Sequence, residues 1–310
     1  MQNQAAPAST DPGRGSAPPL GQHYEVAGRR LALHRSGSGG PAVVVLPGAG
    51  LVGLDFWNIH QRIAGLTTSV LYDRGGTGWS DPVALPRSAA EVAGELRDLL
   101  AAAGVAAPLV LAGHSLGACY ARRYAQLYPG EVAGLMLLEP GHEDIMSYLP
   151  PQAAELAERM KAAQAQLTGL TDEQVAAARA QLGELYASWP AAVRGPLIDN
   201  HLGAWRTAMD ETANLETDIY AELRDGGPLP DVPLIVLTAT GINPFWAKFA
   251  PAEVARQAQQ GVHAMHAAMA AAVPRGEHRL LPGASHQIAH VQQPDAVVQA
   301  VADVLSRSRA

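Results

Sequence analysis

Residues 108–127 read PLVLAGHSLGACYARRYAQL. The first five form a short, continuous apolar run, which suits a strand buried on both faces. The last nine continue as a helical stretch. Between them stands Gly113-His114-Ser115-Leu116-Gly117, a Gly-x-Ser-x-Gly motif. A strand-to-helix turn this sharp strains the backbone of its central residue and needs small residues on either side. It lifts a serine hydroxyl above the strand end, at a helix N-terminus whose dipole favours developing negative charge. Short motifs of this kind also arise by chance. The flanking strand and helix are what single out Ser115 as a nucleophile.

Outward from this turn the same alternation repeats. Apolar runs occur at 41–46 (PAVVVL), 68–72 (TSVLY), 132–138 (VAGLMLL) and 233–237 (PLIVL), with a weaker one at 277–281 (EHRLL). Residues 23–34 (HYEVAGRRLALH) read as two short strands around an Ala27-Gly28 turn. Ser88-Ala89-Ala90-Glu91 is a capping box. It opens a helix with Val92, Leu96, Leu99 and Ala103 on one stripe, stopped at Gly104. Val297, Val301, Val304 and Leu305 mark a C-terminal helix. This order predicts an α/β fold: a mostly parallel central sheet with helices on both faces.

From 141 to 227 the alternation stops. The span has no strand signal and is rich in Ala, Glu, Gln and Leu. Thr171-Asp172-Glu173-Gln174 is a second capping box, followed by Val175, Ala178, Leu182 and Leu185 on one face. The expected organisation is a flexible tail over 1–22, a core over 23–140 and 228–310, and a helical cap insertion over 141–227. A cap of this kind is expected to be replaceable by a short linker with the core left soluble.

The formal net charge is -7, and no basic run occurs, so a nucleic-acid partner is not expected. No apolar stretch reaches the length of a membrane span. Cys119 is the single cysteine, so no intrachain disulfide forms. The first residues lack a cationic and apolar leader pattern. A cytoplasmic protein acting on a small molecule is the expectation. No organic cofactor is implied, and the His263/His266 pair lacks the further ligands of a zinc motif.

Three further motifs complete the pattern. Residues 43–50 (VVVLPGAG) run a strand into a glycine-rich loop. Residues 71–80 (LYDRGGTGWS) follow the next strand, and their glycine spacing fits neither a phosphate loop nor a dinucleotide fingerprint. Residues 281–286 (LPGASH) follow the last strand. Asp-Arg-x-Gly-x-Gly-x-Ser, then Gly-His-Ser-Leu-Gly, then a late Gly-x-x-His together resemble the α/β-hydrolase superfamily, over roughly residues 23–140 and 230–308.

The resemblance implies roles. Ser115 is the nucleophile on its elbow. Leu116 and the loop after residues 43–46 supply the oxyanion-hole N–H groups, which assigns Ala49, with Gly50 as the neighbouring alternative. Many relatives have His-Gly where this chain has Pro47-Gly48, but the donor is a backbone group. Asp73 and Arg74 take an architectural role beside that loop. His286 follows the last strand and is the general base. His290 lies four residues on, His114 should point away from the serine oxygen, and His263 and His266 read as surface or packing residues on an Ala-rich stretch.

The acid departs from the commonest pattern. The loop after the next-to-last strand, 238–244 (TATGINP), holds no carboxylate, and Asp231 is at the wrong end of its strand. Some relatives, among them one group of haloalkane dehalogenases, carry the acid one strand earlier. Glu139 occupies that position, with Glu143 and Asp144 as alternatives in the same loop.

The implied activity is hydrolysis of a carboxylic ester, or of an amide or thioester, of a small apolar substrate through an acyl-enzyme. Epoxide and haloalkane hydrolysis are disfavoured, because those relatives attack with aspartate. Acyl transfer, carbon–carbon bond hydrolysis and non-hydrolytic ligand binding are the alternatives. Met160, Trp189, Trp205 and Met209 suggest an apolar pocket under the cap, although such stripes also serve as core packing.

Overall fold

The computed structural model describes residues 16–309, and the side chains of all of these except 160, 164, 165 and 244–246. The tail expected over 1–22 therefore lies, up to residue 15, outside the described residues, as does the Met160 side chain.

Eight strands form one sheet: β1 (Gln22–Val26), β2 (Arg29–Ser36), β3 (Ala42–Leu46), β4 (Ser69–Tyr72), β5 (Leu109–His114), β6 (Val132–Leu138), β7 (Leu234–Ala239) and β8 (Gly276–Leu281). Their order across the sheet is β1-β2-β4-β3-β5-β6-β7-β8. The β1–β2 and β2–β4 pairs are antiparallel and the others parallel. Ala27 and Gly28 turn the β1–β2 hairpin with φ of 50° and 77°. Positive φ at both turn residues matches the twist of the flanking strands.

The helices follow in chain order. The first three are α1 (Trp57–Ile63), α2 (Ala89–Ala102) and α3 (Leu116–Leu127). Between β6 and β7 lie α4 (Ile145–Tyr148), α5 (Gln152–Ala165), α6 (Asp172–Leu185), α7 (Ala191–Gly203), α8 (Thr207–Thr212) and α9 (Tyr220–Asp225). After β7 come α10 (Pro244–Phe249) and α11 (Ala252–Ala271), and after β8 α12 (Ala289–Gln292) and α13 (Pro294–Ser308). Both capping boxes form as the sequence predicts, at Ser88/Glu91 and Thr171/Gln174.

Alternation along the strands divides the core into two layers. Val44, Leu111 and Leu137 face one side and pack with Leu96 and Leu99 of α2 and Tyr120 and Tyr124 of α3. Val43, Val45, Val110 and Met136 face the other and pack with Ile59 and Ile63 of α1 and with Val297, Val301 and Val304 of α13. That is why the central strands read as unbroken apolar runs.

The helices between β6 and β7 are tied into this core by polar contacts. The Trp189 indole donates to the Leu54 carbonyl at 2.9 Å. Asp55, fully buried, accepts hydrogen bonds from the Tyr186 hydroxyl and, at 2.8 Å, from His201 Nε2. Its other oxygen accepts the Val52 N–H at 2.7 Å, just past the β3 loop. The parallel register sets Leu46 beside Gly113, His114 beside Leu138 and Leu138 beside Leu237. The C-terminal strand ends therefore form a common edge, the usual place for a site in such a sheet.

Candidate active site

β5 continues through His114 and α3 begins at Leu116, so the strand-to-helix turn consists of Ser115 alone. Its backbone sits at φ 51°, ψ -118°, in the left-handed half of conformational space. The glycines on either side are required by contact. A Cβ on Gly117 would lie 2.1 Å from the Leu46 carbonyl oxygen, and one on Gly113 2.6 Å from the Ala118 Cα. The turn is anchored by Ser115 N–H donating to the Leu138 carbonyl at 3.0 Å.

Glu139 is the first residue beyond β6 and also adopts a positive φ, of 51°. Its N–H donates to the Leu237 carbonyl at 2.8 Å. The turned backbone aims the carboxylate along the strand edge, where Oε1 accepts the Ala239 N–H at 2.6 Å. Oε2 lies 2.9 Å from His286 Nδ1, and His286 Nε2 lies 3.0 Å from Ser115 Oγ. Ser115, His286 and Glu139 thus form one hydrogen-bonded row. Burial pushes the Glu139 carboxyl upward, but the His286 hydrogen bond and charge, with His266 and the Ala239 N–H, hold it below its ordinary value.

The alternative carboxylates are engaged elsewhere. Arg122 grips Glu143 with both terminal nitrogens, at 2.7 and 2.8 Å. Asp144 pairs with Arg224 at 3.3 Å.

Two histidines whose contacts the sequence does not reveal support the row. His114 donates from Nε2 to the His286 carbonyl at 2.8 Å, and its Nδ1 is buried without a partner. Burial, followed by the neighbouring His286 and His290, drives its pKa well down, so it stays neutral. His266 is only 1% exposed, which makes it the packing residue of the two readings the sequence offered. Its Nε2 donates to the Pro140 carbonyl at 2.8 Å, which leaves Nδ1 to accept the Thr238 hydroxyl at 2.7 Å. It therefore fastens the turn after Glu139 to β7. His290 is buried against Phe56, and burial lowers its pKa to about 4.

The β3 loop is held by side chains. Arg74 donates to the Pro47 carbonyl at 2.7 Å and the Gly48 carbonyl at 3.0 Å. Its Nε donates to Glu211 Oε1 at 2.9 Å. Glu211 Oε2 accepts the Gly50 N–H at 2.8 Å, so that N–H is already committed, whereas Ala49 is the residue between the gripped positions. Asp73 accepts the Gly53 and Trp79 N–H groups at 2.8 and 3.0 Å, and burial raises its pKa to about 6.

A cavity of about 180 Å³ opens beside Ser115, Leu116 and His286, walled by Ile145, Leu215 and Met265. Thr212 and Tyr220 complete the wall from the segment between β6 and β7. Trp189, expected at a pocket, instead packs in the core and bonds to Leu54. Among the described residues no helix is long and apolar enough to cross a membrane, and no group of three or more His, Cys, Asp or Glu could hold a metal ion.

Residues 43–300 match the Alpha/beta hydrolase family, and the chain belongs to that family. An uncharacterized protein of Mycobacterium tuberculosis is 34% identical over 130 residues, 42% of this chain and 38% of its own length. The chain thus matches well under half the length of this curated relative. An esterase from Thermogutta terrifontis, with malate bound, superposes with a TM-score of 0.57 at 20% identity, covering 93% of this chain and 98% of that one. An epoxide hydrolase from Bacillus megaterium gives 0.65 at 18% identity, over 92% and 100%. At such identities these likenesses establish the shared α/β-hydrolase fold.

Proposed function

We propose that this chain is a serine hydrolase that cleaves a carboxylic ester of a small, apolar substrate through an acyl-enzyme. The observation that carries the reading is the row of Ser115, His286 and Glu139, at 3.0 and 2.9 Å, at the mouth of a largely apolar cavity.

Ser115 is the nucleophile. His286 Nε2 takes its proton as Oγ attacks the ester carbonyl, then returns it to the leaving alcohol. Water repeats the sequence to release the acid. Glu139 orients the imidazole through Nδ1–H and stabilises the imidazolium. The N–H groups of Leu116 and Ala49 receive the oxyanion. The commitment of Gly50 N–H to Glu211 favours Ala49 in this role.

Residues 141–227 serve as a helical cap on a core of 23–140 and 228–310, supplying Ile145, Thr212, Leu215 and Tyr220 to the pocket wall. A cavity of about 180 Å³ is comparable to the ~150 Å³ that accommodates benzene in a protein interior, which favours acyl groups up to ring size. A cytoplasmic setting goes with this reading, since buried Cys119 is a free thiol that needs no oxidising compartment.

The test pairs covalent labelling by a fluorophosphonate with turnover of p-nitrophenyl esters of graded chain length. The wild type should label and should turn over acetyl and benzoyl esters better than long-chain ones, and Ser115→Ala should fold, fail to label and lose at least ~10⁴ in kcat. Undiminished turnover by Ser115→Ala would overturn the assignment.

A further inference from the structure

The β3 loop is gripped on both sides of Ala49 by two side chains that also hold each other. Arg74 takes the Pro47 and Gly48 carbonyls before it, and Glu211 takes the Gly50 N–H after it. The two join through Arg74 Nε at 2.9 Å and Nη2 at 2.8 Å on Glu211 Oε1. Their side chains are 2% and 3% exposed. Gly50 stands at φ +71°, and a Cβ there would lie 2.8 Å from the Ala208 Cβ, so α8 backs directly onto the loop.

An ion pair this deep is a poor source of stability, because desolvation offsets most of its Coulomb gain. What it supplies is geometry: a planar guanidinium fork fixes the direction of each carbonyl it meets. Oxyanion donors act only when held at the right place, and a misplacement of about 1 Å can cost ~10²-fold in rate.

We infer that Glu211 is a positioning residue for the oxyanion loop, acting through Arg74 and the Gly50 N–H, so that α8 is a working part of the site. This rests on the serine-hydrolase reading above. Seating the segment between β6 and β7 and assembling the loop around Ala49 are then one event.

The experiment compares wild type, Glu211→Gln and the paired Arg74→Met/Glu211→Met on p-nitrophenyl acetate. Completed fluorophosphonate titration counts competent sites, so kcat is obtained per competent site whatever fraction of each variant folds. The Gln amide can still accept the Gly50 N–H but no longer balances Arg74. The paired variant removes both charges together and leaves no orphan charge in the core. The expected result is a fall in kcat per site of ~10-fold for Gln and ~10²-fold for the pair, with KM within ~3-fold of wild type. A purely structural role would lower the number of competent sites and leave kcat per site unchanged, and that result overturns the inference. Ser115→Ala, run alongside, separates the two readings. Turnover independent of Ser115 overturns the hydrolase assignment, whereas Ser115-dependent turnover with unchanged kcat per site in both other variants overturns only the role of Glu211.

Discussion

The Glu139 carboxylate accepts the backbone N–H of Ala239 at 2.6 Å, across the gap between the ends of β6 and β7. That bond decides what an amide would do in its place. In Glu139→Gln the Ala239 N–H selects the amide oxygen and turns the NH₂ toward His286 Nδ1. Nδ1 must then accept, the ring proton moves to Nε2, and Nε2 can no longer take the serine proton. Loss of this role cost about 10⁴ in kcat in a well-studied serine protease, and a loss of at least ~10² is expected here. Glu143→Gln and Asp144→Asn should stay within a few-fold of wild type, because their partners are Arg122 and Arg224. Inactive Asp144→Asn beside active Glu139→Gln would reverse the assignment.

Gly117→Ala should be destabilising whatever its effect on chemistry. The added carbon would meet the backbone oxygen of Leu46 at 2.1 Å, and no side-chain rotation can relieve that contact. Overpacking of this kind costs about 1–3 kcal/mol, at the upper end when backbone must move. Urea titration of the variant should show a lower midpoint at unchanged slope. An unshifted midpoint would mean that the elbow is looser than its geometry implies.

The Asp55–His201 pair gives stability a pH dependence. Burial pushes His201 down, but the charge and hydrogen bond of Asp55 outweigh it and raise its pKa above the ordinary 6.5. Its contribution is therefore complete below about pH 6.5 and is lost as pH rises through the folded value. Asp55 is held below its ordinary 3.8 by His201, Tyr186 and the Val52 N–H, despite burial. Its contribution is present above that value and is lost as pH falls through the folded one. The melting temperature of wild type should exceed that of His201→Gln most near pH 5–6, and the gap should narrow as pH rises through the folded value of His201. A gap that widens with pH would contradict this account.

Replacing residues 141–227 by a short linker should not yield a soluble core, contrary to what the sequence alone suggests. The deletion takes away Glu211, Tyr186 and His201 and leaves Arg74 and Asp55 without the side chains that pair with them. Each such orphan costs about 3–5 kcal/mol, against a total stability of about 5–15 kcal/mol. Soluble yield and a cooperative melt are the measurements, and a well-folded truncated core would refute the expectation.

Much of this was legible in one dimension. Ser115 and Glu139 sit at the ends of short apolar runs, and His286 follows the last of them, so local pattern together with the family resemblance brings all three forward as candidates. The positioning residues are different. Glu211 meets Arg74 and His201 meets Asp55 across sequence separations of 137 and 146 residues, and nothing in their own helices marks either as a partner. His266 reads from the sequence as surface or packing, and the choice between them is not legible for another reason. α11 is so rich in alanine that its buried positions, Ala255, Ala258, Met265, His266, Met269 and Ala270, barely stand out from its exposed ones.

With Glu139 just past the end of β6 as the proposed acid, the loop after β7 has no carboxylate to hold in register. Ile242 there is exposed and Asn243 lines the cavity, while Ala239, at the end of β7, meets Glu139 through its backbone N–H. Residues 242 and 243 can therefore be randomised in a library without touching the proton-transfer groups, whereas Gly241 must stay, because a Cβ there would lie 2.5 Å from the Ala284 carbonyl oxygen in the loop that carries His286. For directed evolution of substrate range, this separates the part of the chain that tolerates variation from the part that does not.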